Sequence, residues 1–166
     1  MKLRFPESEI QQWAERYKSG TTEAGFIEIR SKVQEQGYLD KKLLKRVAHW
    51  KSPRRAGLIE RNDDDYVKEI TSWSFGATSE RARIRVLRLL DGVGWPTASA
   101  ILHLFHRDPY PILDFRALWS IRLETYRYSS SFWSDYTYFC RDIASRNQID
   151  MRTLDKALWQ YSKENQ

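Results

Sequence analysis

The 166 residues carry 41% hydrophobic and 14% aromatic side chains, enough for a core in one compact unit or two small lobes and too many for a disordered chain. A formal charge of +6 suits a polyanionic partner, either nucleic acid or an acidic membrane surface. One cysteine excludes an internal disulfide and an all-cysteine metal site, and the lack of a long apolar run excludes a membrane-spanning helix.

The apolar spacing is helical almost throughout and predicts an all-α chain. The first helix is expected after Pro6, with Ile10, Trp13, Ala14 and Tyr17 as its stripe and Gly20 as its stop. The second runs over 22–36, with Phe26, Ile29, Arg30 and Val33 in register and Gly37 beyond its end. Asp40 caps a third helix. Leu43, Leu44 and Val47 form its apolar side, and Lys41, Lys42, Lys45 and Arg46 its polar side. Residues 50–57, WKSPRRAG, read as a basic loop carrying Arg54 and Arg55, either a solvated connection or a contact surface. A fourth helix is expected from Asn62, with Asp63, Asp64 and Asp65 in its first turn. Val67, Ile70 and Trp73 should face inward, and Gly76 should end it.

The helix expected over 79–90 places Arg81, Arg85 and Arg88 on one face and Val86, Leu87 and Leu90 on the other, with Arg83 on the apolar side. The arginine face either tracks a phosphate backbone or is simply solvated. Leu90-Asp91-Gly92-Val93-Gly94 then turns into a helix opened by Trp95-Pro96-Thr97. Gly92 and Gly94 are free to take positive φ, which joins two helices across a very short turn and leaves backbone N–H groups uncovered. Those groups open a helix, where free donors and the dipole favour an anion such as one phosphate. Pro96 suits the first turn, since its missing N–H has no helical partner there. Ala98, Ser99 and Ala100 permit close packing, and Ile101, Leu104 and Phe105 supply the core side. His103 and His106 are expected on the helix surface, and with no third ligand nearby they do not predict a metal.

A Pro-bounded connection delivers Asp114 to the start of a helix through Ile121. A helix over 129–147 carries Trp133, Tyr136, Cys140 and Ile143 in one stripe, so Cys140 reads as a small buried hydrophobe. The last helix, 151–163, packs through Leu154, Ala157, Leu158 and Tyr161.

The segment 79–121 resembles the helix-hairpin-helix DNA glycosylases, the superfamily of endonuclease III and the adenine and alkylpurine glycosylases. The hairpin pattern is L-x-G-V-G-x-x-T-A, met by Leu90, Gly92, Val93, Gly94, Thr97 and Ala98, and Asp114 follows Pro111-Ile112-Leu113 where the family has its catalytic aspartate. The resemblance implies a helical barrel lobe at 21–113 containing the helix-hairpin-helix at 79–106. It implies a second lobe from 1–20 and 114–166, with Asp114 where the lobes meet. Gly92, Val93, Gly94, Trp95, Thr97, Arg54, Arg55 and Arg88 would contact double-stranded DNA, and Trp50 and Trp73 would stack in a base pocket.

Strand-cleaving members carry a lysine at the place of Pro96, so the resemblance implies a monofunctional glycosylase. One cysteine, Cys140, cannot supply the iron–sulfur cluster of some relatives, so no cofactor is expected. Hairpin carbonyls in the family can also hold a monovalent cation. Two residues depart from the pattern: Asp91 stands where proline is frequent, and Trp95 stands where a basic residue is common. The expectation is a monomer that acts on duplex DNA, without a membrane, in the cytoplasm or on a bacterial nucleoid. Its work is base excision repair or removal of modified bases from foreign DNA. The rival expectation is a non-catalytic DNA-binding helix-hairpin-helix module.

Overall fold

A computed structural model describes every residue except Ser19. Among the described residues all regular structure is helical. The α-helices are α1 (Ile10–Glu15), α2 (Thr21–Gln36), α3 (Lys41–Lys51), α4 (Asp64–Gly76), α5 (Glu80–Leu87), α6 (Trp95–Phe105), α7 (Phe115–Ser120), α8 (Ser130–Arg146) and α9 (Met151–Asn165). A 3₁₀ turn at Glu7–Glu9 precedes α1, and a longer 3₁₀ run, Pro53–Arg61, follows α3. No helix of the described residues is long and apolar enough to cross a membrane.

The chain divides into two compact units, one of Gly20–Asp108 and one of Met1–Ser19 with Pro109–Gln166. In the first, α6 is the central element: Trp95 and every residue from Thr97 to Phe105 are buried. A helix apolar on all sides belongs inside a core. Here α2, α3 and α5 pack around it. Arg30 on α2 donates from Nε to the Leu104 carbonyl at 2.5 Å and from Nη2 to the His103 carbonyl at 2.8 Å. That explains an arginine on an otherwise apolar stripe: a cation at a helix C-terminus meets both the free carbonyls and the negative end of the dipole.

Caps set several boundaries. Asp40 Oδ1 accepts from Leu43 N at 2.7 Å, and Ser79 Oγ accepts from Ala82 N at 3.1 Å. Gly37 closes α2 in the left-handed region, at φ +80°, with its N–H on the Val33 carbonyl.

In the second unit, α9 packs against α1, α7 and α8. Trp133, Tyr136, Cys140 and Ile143 are buried along α8, and Leu154, Ala157 and Leu158 along α9. The N-terminal segment is tied to the end of α7 by Lys2 N on the Ile121 carbonyl and Arg4 N on the Ser120 carbonyl. Residues 109–113, expected to close the first lobe, belong to this unit instead. The reason is local: Tyr110 stacks on Trp133 at 5.8 Å, Ile112 N donates to Asp155 Oδ1 at 3.2 Å, and Tyr136 Oη donates to the Ile112 carbonyl at 3.1 Å.

Several expected boundaries are corrected. The first helix ends at Glu15 rather than near Gly20. Residues 50–57 are not an open loop: α3 continues to Lys51, and Pro53 opens the 3₁₀ run. The helix from 79 stops at Leu87, and 88–90 tighten into i→i+3 turns before the glycines. Trp73, expected inward beside Val67 and Ile70, is 55% exposed. His103 is buried and His106 largely covered, because α6 has no free surface at that end.

Candidate functional site

The glycine turn is built by geometry that only part of the sequence announces. Gly92 sits at φ +84°, the left-handed region that glycine enters without steric cost. A Cβ there would lie 2.9 Å from Ile59 Cδ1 and 3.2 Å from both the Arg55 carbonyl oxygen and Ile59 N. The turn therefore rests directly on the 3₁₀ run Pro53–Arg61, and glycine is required for space as well as for φ. Gly94 differs from expectation: its φ is −87° and its ψ −178°, extended backbone open to any residue. It is the N-cap of α6 and supplies no side-chain acceptor to the first turn.

Asn62 clamps the turn. Its Nδ2 donates to the Asp91 carbonyl at 3.0 Å, and its Oδ1 accepts from Asp91 N at 2.9 Å. The side chain is buried and also donates to the Ile59 carbonyl at 3.0 Å. One amide thus holds both backbone groups of Asp91, whose own side chain is exposed. The turn is therefore fixed through the Asp91 backbone, and the Asp91 carboxylate is left to solvent. Sequence reasoning missed Asn62, reading it as the start of a helix. The pairing spans 29 positions, and no local pattern carries it.

The other expected hairpin contacts divide into two groups. Arg54, Arg55 and Arg88 are exposed. Arg54 and Arg55 lie on the 3₁₀ run whose backbone touches Gly92. Arg88 lays its guanidinium 4.4 Å over the Trp95 ring. The side chains of Val93, Trp95 and Thr97 are buried, so what they leave at the turn is backbone. Trp95 is covered and serves as the platform under Arg88, a cation–π pair that holds the positive charge beside the turn. Thr97 Oγ1 donates to Ser52 Oγ at 3.1 Å, fastening the end of α3 to the first turn of α6. Among the turn carbonyls, Leu90 accepts from Val93 N and Asp91 from Asn62, so both already have protein donors. Trp50 is half-buried, edge-on to Phe26 at 5.8 Å, and Trp73 stands exposed on α4.

Asp114 belongs to the second unit. It is the N-cap of α7, with Oδ1 accepting from Arg116 N at 3.0 Å, and it is half-buried. Its negative charge is felt by two phenols. Tyr128 is held well above its ordinary value by burial, by a hydrogen bond with Tyr126 and by the charges of Tyr126 and Asp114. Tyr136, fully buried, is pushed up by burial first, and Cys140, Asp155 and Asp114 add to the effect. Tyr126, Tyr128 and Phe132 form a ring cluster with centroids 5.2, 5.8 and 6.0 Å apart, and Phe132 continues it onto Tyr136 at 6.4 Å. The aspartate thus has aromatic neighbours whose phenols stay protonated donors at neutral pH.

Sequence reasoning also missed Tyr126 and Tyr128. They fall in the irregular connection between α7 and α8, where neither a 3.6- nor a 2-residue period marks a face. Next to Asp114, Phe115 is 55% exposed, with the Arg116 guanidinium 5.1 Å from its ring.

Cys140 is buried, and burial pushes its thiol well above the ordinary value, as suits a core residue rather than a nucleophile. No group of three or more histidine, cysteine or acidic side chains is placed to hold a metal among the described residues. Compared with protein-family models, curated proteins and solved structures, the chain matches none.

Proposed function

We propose that the chain is a monofunctional DNA glycosylase, hydrolysing the N-glycosidic bond of a damaged, mismatched or modified base in double-stranded DNA. The observations that support this reading are two, one in each unit: a Gly92 turn at φ +84° that opens α6 without a side-chain cap, and a half-buried aspartate at the head of α7. The hairpin would take a phosphate on backbone N–H groups, with Arg54, Arg55 and Arg88 adding charge around it. The resemblance to helix-hairpin-helix glycosylases supplies the order of these parts.

A base inside a duplex must be flipped out before its glycosidic bond is reachable. Breaking that bond builds positive charge on the sugar. The Asp114 carboxylate would stabilise that charge or align the attacking water, as carboxylates do for oxocarbenium-like centres. Oδ1 caps α7, which fixes the side-chain rotamer. The rings of Tyr126, Tyr128 and Phe132 give the neighbourhood faces on which a base can stack. Pro96, at the family's lysine position, has no amine for a Schiff base, so strand cleavage is not part of the reaction. No step is assigned to a cation at the hairpin.

The test is release of free base from a panel of lesion-bearing and modified duplexes. Asp114→Asn is the informative variant, because asparagine caps a helix about as well as aspartate and so spares the fold. The expected loss is about a hundredfold or more in single-turnover rate. Undiminished activity in that variant would remove Asp114 from the reaction.

A second reading is a DNA-binding module without catalysis. It is favoured by the fact that Asp114 already has a structural task as the cap of α7. This reading predicts duplex binding whose log affinity falls with log salt, no base release from any substrate, and indifference to Asp114→Ala in binding.

A further inference from the structure

On α3, Lys42, Lys45, Arg46 and His49 stand at i, i+3, i+4 and i+7, four basic side chains on one helical face. That face lines an open groove of about 600 Å³ within the Gly20–Asp108 unit, completed by Thr21, Thr22 and Trp50. Among the described residues the lining itself carries no carboxylate, and the acid that reaches it is Glu60, paired with Lys45. Like charges three and four residues apart destabilise a helix; Glu60 offsets part of this at Lys45, and a polyanion along the stripe would offset the rest.

The groove is partly pre-organised. The Arg46 guanidinium is held 5.3 Å over the Phe26 ring, and Gly25 leaves it room: a Cβ at Gly25 would lie 3.2 Å from Arg46 Nη2. Lys45 is tethered to Glu60, in an exposed pair that water and salt weaken. Trp50 is steadied by its edge contact with Phe26. Thr21 and Thr22 open a 16-residue helix whose N-cap, Gly20, offers no side-chain acceptor; Glu23, buried in its first turn, offsets the positive end of the α2 dipole, so the field of the groove comes from the α3 side chains.

We propose that this groove binds single-stranded nucleic acid, with Trp50 stacking on a base and the α3 cations taking the flanking phosphates. An indole beside a row of cations fits unpaired nucleotides, because a base inside a duplex has both faces already stacked. The proposal does not depend on the glycosylase reading, since neither Asp114 nor the glycine turn takes part.

The experiment uses the full chain and a fluorescein-labelled oligothymidylate, read by anisotropy across a salt series, with a blunt duplex as the comparison. Wild type should bind the single strand with a negative log–log salt slope. Lys42→Ala/Lys45→Ala removes two phosphate contacts and should make that slope shallower by about 1.4, at roughly 0.7 per contact. Trp50→Ala should weaken single-strand binding about tenfold or more, and Trp50→Phe, which keeps an aromatic face, should restore most of it. Thermal melts accompany each variant; if Trp50→Ala unfolds, the lysine pair and Trp50→Phe decide the matter. Duplex affinity should be unchanged in the lysine variant. Three outcomes overturn the proposal: no single-strand binding by wild type, an unchanged salt slope in the lysine variant, or equal losses for single strand and duplex. The last would make the stripe a duplex-backbone contact.

Discussion

Replacing each hairpin glycine by alanine separates the two reasons a glycine can be needed. At Gly92 the backbone is left-handed, at φ +84°, which costs a residue with a Cβ roughly 1–2 kcal/mol. The new methyl would also lie 2.9 Å from Ile59 Cδ1 and 3.2 Å from two backbone atoms, the Arg55 oxygen and Ile59 N. The Ile59 methyl can move; the backbone pair belongs to the 3₁₀ run and cannot move without shifting the run itself. Overpacking of this kind adds about 1–3 kcal/mol. Gly92→Ala should therefore cost about 2–5 kcal/mol, a fall of several degrees or more in Tm at about 2–4 °C per kcal/mol. At Gly94 the φ is −87°, and an added Cβ meets only Pro96 Cδ, at 3.8 Å. Gly94→Ala should cost less than about 1 kcal/mol, the ordinary difference at an N-cap. Urea denaturation with linear extrapolation measures both, and duplex binding under the same buffer shows whether the turn still presents its donors. Gly92→Asn is the control: asparagine tolerates positive φ but keeps the Cβ, so it should recover only part of the loss. Equal costs at the two positions, or a Gly92→Ala protein within about 0.5 kcal/mol of wild type, would refute the geometry.

Three further outcomes follow from single contacts. Asn62→Ala leaves the buried-side N–H and carbonyl of Asp91 without their partner and should lower stability by about 2–4 kcal/mol, with a matching loss of duplex affinity; a chemical-denaturation midpoint equal to wild type would show the clamp is idle. Arg30→Met keeps the aliphatic bulk but removes two charge-assisted bonds at the end of α6, costing about 2–3 kcal/mol in the same assay. His106 is held below its ordinary value of 6.5, first by burial and then by the charge of Arg83. The unfolded chain thus binds the proton more readily than the folded one. Stability should fall as pH drops through and below about 6.5, and this loss should shrink in His106→Gln. Urea midpoints from about pH 8 down to about pH 5.5 test the sign, and a wild type that grows more stable towards acid would contradict it.

The fold class was legible because α6 and its neighbours carry unbroken helical periods and because caps such as Asp40 and Ser79 are strong local signals. What the sequence hid was mostly decided by distance along the chain. Helical spacing groups Trp73 with Val67 and Ile70, but the buried stripe of α4 runs Val67, Ile70, Thr71, Ser74, and Trp73 falls beside it with 55% of the residue exposed. His103 and His106 look like surface residues on composition, but α6 is enclosed, so position overrides residue type. Residues 50–57 carry Pro, Gly and two arginines, the marks of a loop, and form the 3₁₀ shelf beneath the glycine turn instead. Trp95 and Thr97 stand in the hairpin pattern, and both side chains are buried, Thr97 bonded to Ser52 and Trp95 beneath Arg88. The left-handed Gly92 and the capping Asp114 could be singled out from local sequence; Asn62, which holds Asp91, and the Tyr126–Tyr128 ring contact could not, since each depends on a partner that no local spacing reveals.

On the reading proposed above, these placements constrain how the hairpin would meet an anion. In α6 Trp95 and every residue from Thr97 to Phe105 are buried, so the helix has no flank to offer a ligand and only its N-terminal end, where Pro96 is partly exposed, is open to contact. At its other end Arg30 neutralises the carbonyls, which leaves the positive pole of the dipole less opposed. Trp95 carries Arg88 on its face, so the cation nearest the first turn of α6 comes from the end of α5 rather than from α6. Arg54 and Arg55 add charge from the shelf that fixes Gly92. The charge around the turn is therefore borrowed from three segments while the turn itself contributes backbone. On that arrangement, Arg88→Ala should reduce the salt dependence of duplex binding by about one phosphate contact, roughly 0.9 in log–log slope, without moving the stability midpoint by more than about 1 kcal/mol. An unchanged slope in Arg88→Ala would mean that the cation over Trp95 is packing alone, and that the turn meets its anion without help from α5.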